Sequence, residues 1–201
     1  VTHPIVLSEP GVEYLKLPAP QTEGGMPLLT ALQRRRSTRN FTSRSLDDAL
    51  LSSLLWAAFG VNRPGTGLRT APSTCNWQEI DLYVALREGL YVLEPADWRL
   101  RLVIGEDLRA ATSLQDYAAE APLNLVYVSR LSRLDDIDRP LRQFYTALDT
   151  GYISQNVYLF CAASGLATVA RGLLDRRALA VAMRLESDQR VILAQSVGFS
   201  A

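Results

Sequence analysis

Residues 34–41, Arg-Arg-Arg-Ser-Thr-Arg-Asn-Phe, gather four arginines and two hydroxyls in one short stretch. Guanidinium groups donate paired, charge-assisted hydrogen bonds to phosphate oxygens, and Ser37 adds a donor, so the cluster suits a dianionic phosphate. A solvated basic helix end, complementing the macrodipole, accounts for the same residues. A second stretch, Thr70-Ala71-Pro72-Ser73-Thr74-Cys75-Asn76-Trp77-Gln78, precedes a strand. Its polar side chains and free backbone N–H groups can grip a polyol chain or a heterocycle edge, although alone it also reads as an ordinary polar loop. The third stretch is Leu166-Ala167-Thr168-Val169-Ala170-Arg171-Gly172. Small residues at the end of a strand leave room for a flat ring, and Gly172 lets backbone approach closely. Arg171 can stabilise negative charge on a reduced ring, or simply pair with Asp175 at the next helix start.

What is missing narrows the chemistry. The one histidine, His3, lies in a segment that reads as an arm, which excludes Ser-His-Asp and Cys-His hydrolases and histidine-rich metal sites. Cys75 and Cys161 are too few and too far apart in sequence for a disulfide framework or zinc site, so no metal is expected. Chemistry would then belong to a bound cofactor. Twenty-one basic residues balance twenty-one acidic ones, without the broad cationic footprint of a nucleic-acid binder. No apolar run approaches the roughly 18–20 residues that span a bilayer. A cytoplasmic protein is expected, with export after signal-peptide removal as the alternative, because the sequence starts at Val1.

The elements that must position these stretches are legible from periodicity. Five prolines and three glycines in residues 1–27 favour an extended arm, assigned to residues 1–26, before one domain over 27–201. Pro27 opens a short helix that leads into the arginines. Ser45 and Asp48 have capping-box spacing for a second, deeply buried helix that ends at Gly60. Residues 62–76 read as a loop. Strands are expected over Ile80–Leu86, Leu90–Leu93, Leu100–Ile104 and Leu125–Val128, with one or two helical segments over residues 106–120. A long helix runs from Pro140 to about Ser164 and stops at Gly165. Leu141, Phe144, Tyr145, Leu148, Tyr152, Leu159 and Phe160 give it an apolar face, while Ala147, Gly151 and Ser154 would admit another backbone. That face reads either as core or as a dimer seam. A strand at Leu166–Ala170, a helix at Asp175–Leu185 and a strand at Val191–Val197 complete an α+β pattern of a helix-covered sheet.

In order and spacing, the Arg-Arg-Ser-x-Arg-x-Phe stretch, the Pro-Ser-x-x-Asn-Trp-Gln loop and the Gly-Leu-Ala-Thr strand after a long helix resemble the flavin segments of the nitroreductase family. The resemblance covers most of residues 27–199 and is nearest the subgroup that includes SagB-type dehydrogenases. It implies a three-layer α+β sandwich with a mostly antiparallel sheet, forming an intertwined homodimer with FMN at the subunit interface. Arg35, Arg36, Ser37 and Arg39 would hold phosphate and the flavin's polar edge. Pro72, Ser73, Thr74 and Asn76 would come from the partner subunit to line the ring and ribityl chain. Gln115 would face the pyrimidine side, and Ala170, Arg171 and Gly172 would lie along the isoalloxazine. One departure is the stretch Ser196–Ala201, which lacks the basic residue that family members often place there, so Arg34 or Arg36 would supply that charge or FMN would bind less tightly.

The implied activity is ping-pong hydride transfer from NADH or NADPH through FMN to a nitroaromatic, quinone or similar small-molecule acceptor, with no essential side-chain acid or base. Two alternatives are a SagB-type dehydrogenase of a peptide-derived or other organic substrate, and a flavin-binding protein with little turnover.

Overall fold

A computed structural model describes residues 5–9, 12–134 and 137–201; His3, Pro4, Pro10 and Gly11 of the expected arm lie outside the described residues. Ten strands and five α-helices follow in chain order. They are β1 (Ile5–Glu9), β2 (Val12–Lys16), α1 (Leu28–Arg34), α2 (Asp48–Phe59), β3 (Val61–Arg63), β4 (Leu68–Arg69), β5 (Ile80–Leu86), β6 (Gly89–Glu94), β7 (Arg99–Ile104), α3 (Tyr117–Glu120), β8 (Leu123–Arg130), α4 (Arg139–Ser164), β9 (Ala167–Arg171), α5 (Arg176–Ala182) and β10 (Gln189–Gly198). Eight of the strands form one sheet in the order β1-β2-β7-β6-β5-β8-β10-β9. Its described pairs are antiparallel, from Val6 opposite Tyr14 at one end to Val169 opposite Ser196 at the other.

Period-two alternation sorts the sheet into two apolar faces. Ile80, Leu82, Val84 and Leu125 pack with Leu51, Leu54 and Leu55 of α2 and Ile153 and Val157 of α4. On the other face Tyr83, Val126, Val128 and Ala194 pack with Leu179 and Met183 at α5. Helices on both faces of an antiparallel sheet make the expected three-layer α+β sandwich. Among the described residues no helix is long and apolar enough to cross a membrane.

Several elements depart from the sequence reading. Residues 12–16 are a sheet strand, in which Val12, Tyr14 and Leu15 supply β-branched, aromatic and apolar side chains, with Tyr14 and Leu15 both buried. The cap of α2 is Asp47, whose carboxylate accepts from the Leu50 N–H, and not Ser45. Residues 61–69 contain a small hairpin inside the stretch read as a loop, whereas residues 106–120 do hold two short helical segments, a 3-10 turn and the four-residue α3.

Helix α4 begins with Pro140 in its first turn and ends at Gly165 in the left-handed region, φ 70°, as a C-terminal glycine allows. Of the two readings of its apolar stripe, its orientation removes the core one for most of that stripe. The buried face carries Thr146, Asp149, Thr150, Ile153, Ser154, Val157 and Cys161, whereas Leu141, Phe144, Leu148 and Tyr152 are exposed, Phe144 by 60%. Polar residues on the inner face are matched by polar partners. Gln195 of β10 accepts from Tyr127 Oη at 2.6 Å and Ser154 Oγ at 2.9 Å, and donates to Thr168 Oγ1 at 3.0 Å. Ser154 therefore serves its own chain's interior, while Gly151 stays on the outer face.

Candidate functional site

The Arg35 N–H closes the last turn of α1 onto the Ala31 carbonyl, and the chain then turns extended. The arginine stretch then runs along the outer edge of β9, where Thr38 N–H donates to the Thr168 carbonyl at 3.0 Å. Tyr158 of α4 joins the two. Its hydroxyl accepts from Ala170 N–H at 2.9 Å and lies 2.9 Å from Ser37 Oγ, while the Arg35 guanidinium sits 5.4 Å from its ring centre. That last geometry is a cation–π contact.

These elements enclose a cleft of about 550 Å³ lined by Arg34, Arg35, Arg36, Thr38, Tyr158 and Thr168, with Ser200 arriving beside them. No carboxylate lines it among the described residues. A larger cleft, of about 720 Å³, lies on the sheet face around Asp81 and Glu94 and is also rich in arginine. There Asp81 holds both Arg130 and Arg133, and Glu94 holds both Arg99 and Arg101, so four of its five arginines are already paired, and Arg69 donates to Gln78 Oε1 and the Phe59 carbonyl. The smaller cleft is the better anion site because its guanidinium groups meet no opposing charge.

Ser113–Gln115 packs beside the end of β9, with Leu114 N–H donating to the Leu173 carbonyl. The Gln115 side chain accepts from Tyr117 Oη at 2.8 Å. At Gly172 a Cβ would meet nothing within 4 Å, so this side of the edge is open. Arg39 is exposed and lies outside the cleft lining.

The Arg171 side chain points into the fold and does not pair with Asp175. Strand alternation turns it to the opposite face from Ala170, where it is buried and donates to the Thr112 carbonyl at 2.7 Å and Asn124 Oδ1 at 2.7 Å. Burial pulls its guanidinium down to about 10. Asp175 meanwhile caps α5 by accepting from the Arg177 and Ala178 N–H groups.

The loop Pro72–Asn76 lies elsewhere. Asp149 Oδ2 accepts from Thr74 N–H at 2.8 Å and Oδ1 from Thr74 Oγ1 at 3.0 Å, while Ser73 Oγ accepts from Gln78 N–H at 2.9 Å. These bonds hold a strained path, since Cys75, Asn76 and Gln78 all have positive φ near 50°. Asp149 and Tyr158 are nine residues apart on α4, about 14 Å along its axis. The loop leads into β5, and β8 and β10 stand between β5 and β9. Within one chain, then, the arginine cleft and the Pro72–Asn76 loop are separate.

Sequence reasoning missed Tyr158, Asp149 and Glu79. Asp149 had a signal, because it falls at helical spacing with buried Ile153 and Val157. The Tyr158 hydroxyl, by contrast, meets partners 12 and 121 residues away that no local pattern indicates.

The sequence model of the Nitroreductase family matches residues 32–199. MJ1384 of Methanocaldococcus jannaschii, provisionally named a nitroreductase, is 32% identical over 153 residues, 70% of this chain and 76% of that protein. A crystal structure of a provisionally named nitroreductase from Ralstonia eutropha JMP134 is 44% identical, with a TM-score of 0.90 over 94% of this chain and 90% of that one. Another, from Desulfovibrio desulfuricans and described as a nitroreductase in complex with FMN, is 20% identical, with a TM-score of 0.65 over 90% of this chain and 88% of its own; that likeness is one of fold. With the family match spanning nearly the whole domain and the three flavin-like segments in place along it, the chain belongs to the nitroreductase family.

Proposed function

We propose that this protein is an FMN-dependent oxidoreductase that works as a homodimer, taking hydride from NADH or NADPH and passing electrons to a nitroaromatic, quinone or similar small molecule. The observation that carries the reading is the carboxylate-free cleft of Arg34, Arg35 and Arg36 at the β9 edge. It suits the phosphate of FMN by charge and by donor type. Arg35, Arg36 and Ser37 hold that phosphate, and Arg34 supplies the charge that the Ser196–Ala201 stretch lacks. The open backbone at Ala170–Gly172 admits the flat ring, and Gln115 turns an amide toward its polar edge. Arg39 lies farther out and contributes long-range attraction. Arg171 acts by holding Thr112 and Asn124 beneath the ring's side of β9 and offers the site only its backbone.

Two features support the dimer. Pro72, Ser73, Thr74 and Asn76 cannot reach the arginine cleft of their own chain, so a second copy delivers them. The exposed stripe Leu141, Phe144, Leu148 and Tyr152 on α4 provides a surface to join the copies. FMN, when bound, supplies hydride acceptance and donation; the protein's part is to orient it, neutralise its charge and exclude water. The FMN complex of the Desulfovibrio desulfuricans relative supports the cofactor assignment.

The test is the visible spectrum of the purified protein with FMN added, followed by NADH or NADPH without oxygen. Prompt bleaching of a bound flavin is expected. A protein that binds no FMN overturns the reading, and one that holds FMN but ignores both nucleotides removes the nicotinamide donor from it.

A further inference from the structure

Glu79, in the link between the Pro72–Asn76 loop and β5, is wholly buried, and neither of its carboxyl oxygens receives a hydrogen bond from an N–H or O–H donor. Its backbone is fixed, with the carbonyl accepting from Arg130 N–H at 2.8 Å. The charged groups facing its side chain are Asp149 from α4 and Arg133 from the turn after β8, and its hydrogen-bonding neighbour is Asp149. Arg133 is itself engaged at 2.7 Å with Asp81 and at 3.1 Å with the Gln78 carbonyl. Asp149 must accept, because both its oxygens take hydrogen bonds from Thr74. Two adjacent buried carboxylates without a cation between them repel, so the arrangement closes only if Glu79 carries the proton and donates it to Asp149.

We propose that Glu79 and Asp149 share one proton and so act as positioning residues that clamp Thr74, making flavin binding depend on that proton. The inference rests on the reading that the Pro72–Asn76 loop lines FMN. When the proton leaves, Asp149 is repelled by Glu79, its two-point grip on Thr74 loosens, and the strained Cys75–Gln78 path relaxes. The burial that pushes the Glu79 carboxyl up to about 7 places this event near neutrality. Asp149 is also raised by burial, as expected for members of one coupled pair.

Two readouts test the pair. The first is FMN affinity by fluorescence quenching at pH 6 and pH 8 for the wild type, Glu79→Gln and Asp149→Asn. Wild-type affinity is expected to fall about tenfold over this range, as linkage to one proton requires. Glu79→Gln, which mimics the protonated acid, should stay within about twofold, and Asp149→Asn should bind weakly at both values. A Glu79→Gln variant that keeps the wild-type slope overturns the proposal. The second readout is the hydrogen-exchange protection factor of the Thr74 amide in FMN-free protein at the same two values. Protection that drops with pH in the wild type but not in Glu79→Gln supports the clamp even if no FMN binds, and then only the flavin assignment falls. Protection that is flat in both overturns the clamp whatever FMN does.

Discussion

The two ends of α4 anchor two polar regions built on opposite terms. At Tyr158 the arginine stretch is exposed, cationic and held mainly by backbone and hydroxyl contacts, so its charges stay available for a ligand. At Asp149 the Pro72–Asn76 loop is held from inside by a buried acid whose charge is consumed by Thr74. The first region leaves its cations largely uncommitted to the fold; the second spends its polar groups on shape. Mutations should therefore separate affinity from stability at one end of the helix and couple them at the other.

The most severe break is expected from Asp149→Ala. It leaves a partly buried N–H and a hydroxyl unpaired and should cost about 2–4 kcal/mol of unfolding free energy, measured by urea denaturation. An equal loss in Arg35→Ala/Arg36→Ala would erase the contrast. That double variant is instead expected to weaken FMN binding about 100-fold while leaving the denaturation midpoint nearly unchanged, because charge-assisted bonds to a phosphate are lost but none within the fold. Tyr158→Phe should fall between, with about tenfold weaker FMN binding and a loss of about 1 kcal/mol in stability, since Ala170 N–H loses its acceptor.

Smaller still is a pH effect confined to the Asp149 end. Glu79 is pushed up to about 7 in the folded protein from an ordinary value near 4.5. The folded state therefore binds the extra proton, and the associated stability is complete below the ordinary value and lost as pH rises through 7. A melting temperature that declines between pH 5 and 8, with the decline absent in Glu79→Gln, would locate the effect at this acid. Least affected should be Arg39→Ala, with less than about threefold change in FMN affinity, because an exposed charge is screened by solvent and salt.

How much of this was legible depended on whether the signal was local. The bounds of α4 follow from Pro140 and Gly165, whose backbone preferences act within one turn. Its facing did not follow, because Leu141, Phe144, Leu148 and Tyr152 form a periodic stripe that says which residues share a side and not which side is inner. The polar inner face works only because distant Gln195 and Thr74 answer Ser154 and Asp149. The strand at Val12–Lys16 was masked by neighbouring prolines that constrain only themselves and the residue before them. Of the residues proposed for the site, Arg35, Arg36, Ser37 and Ala170 lie together at one sheet edge around Tyr158, whereas Arg39 lies outside the cleft. The burial of the Arg171 side chain was not legible, since its partners Thr112 and Asn124 are 59 and 47 residues away.

The arginine stretch also has work that involves no ligand. As the outermost strand on its side, β9 would offer a row of unpaired N–H and C=O groups to any passing chain. Thr38 N–H covers the Thr168 carbonyl and the Tyr158 hydroxyl covers Ala170 N–H, so the edge is occupied before another strand can add to it. The cationic side chains alongside repel like copies approaching edge to edge. The segment proposed to hold an anion would thus double as a guard against runaway sheet growth, and shortening it would threaten solubility even in a variant never asked to turn over.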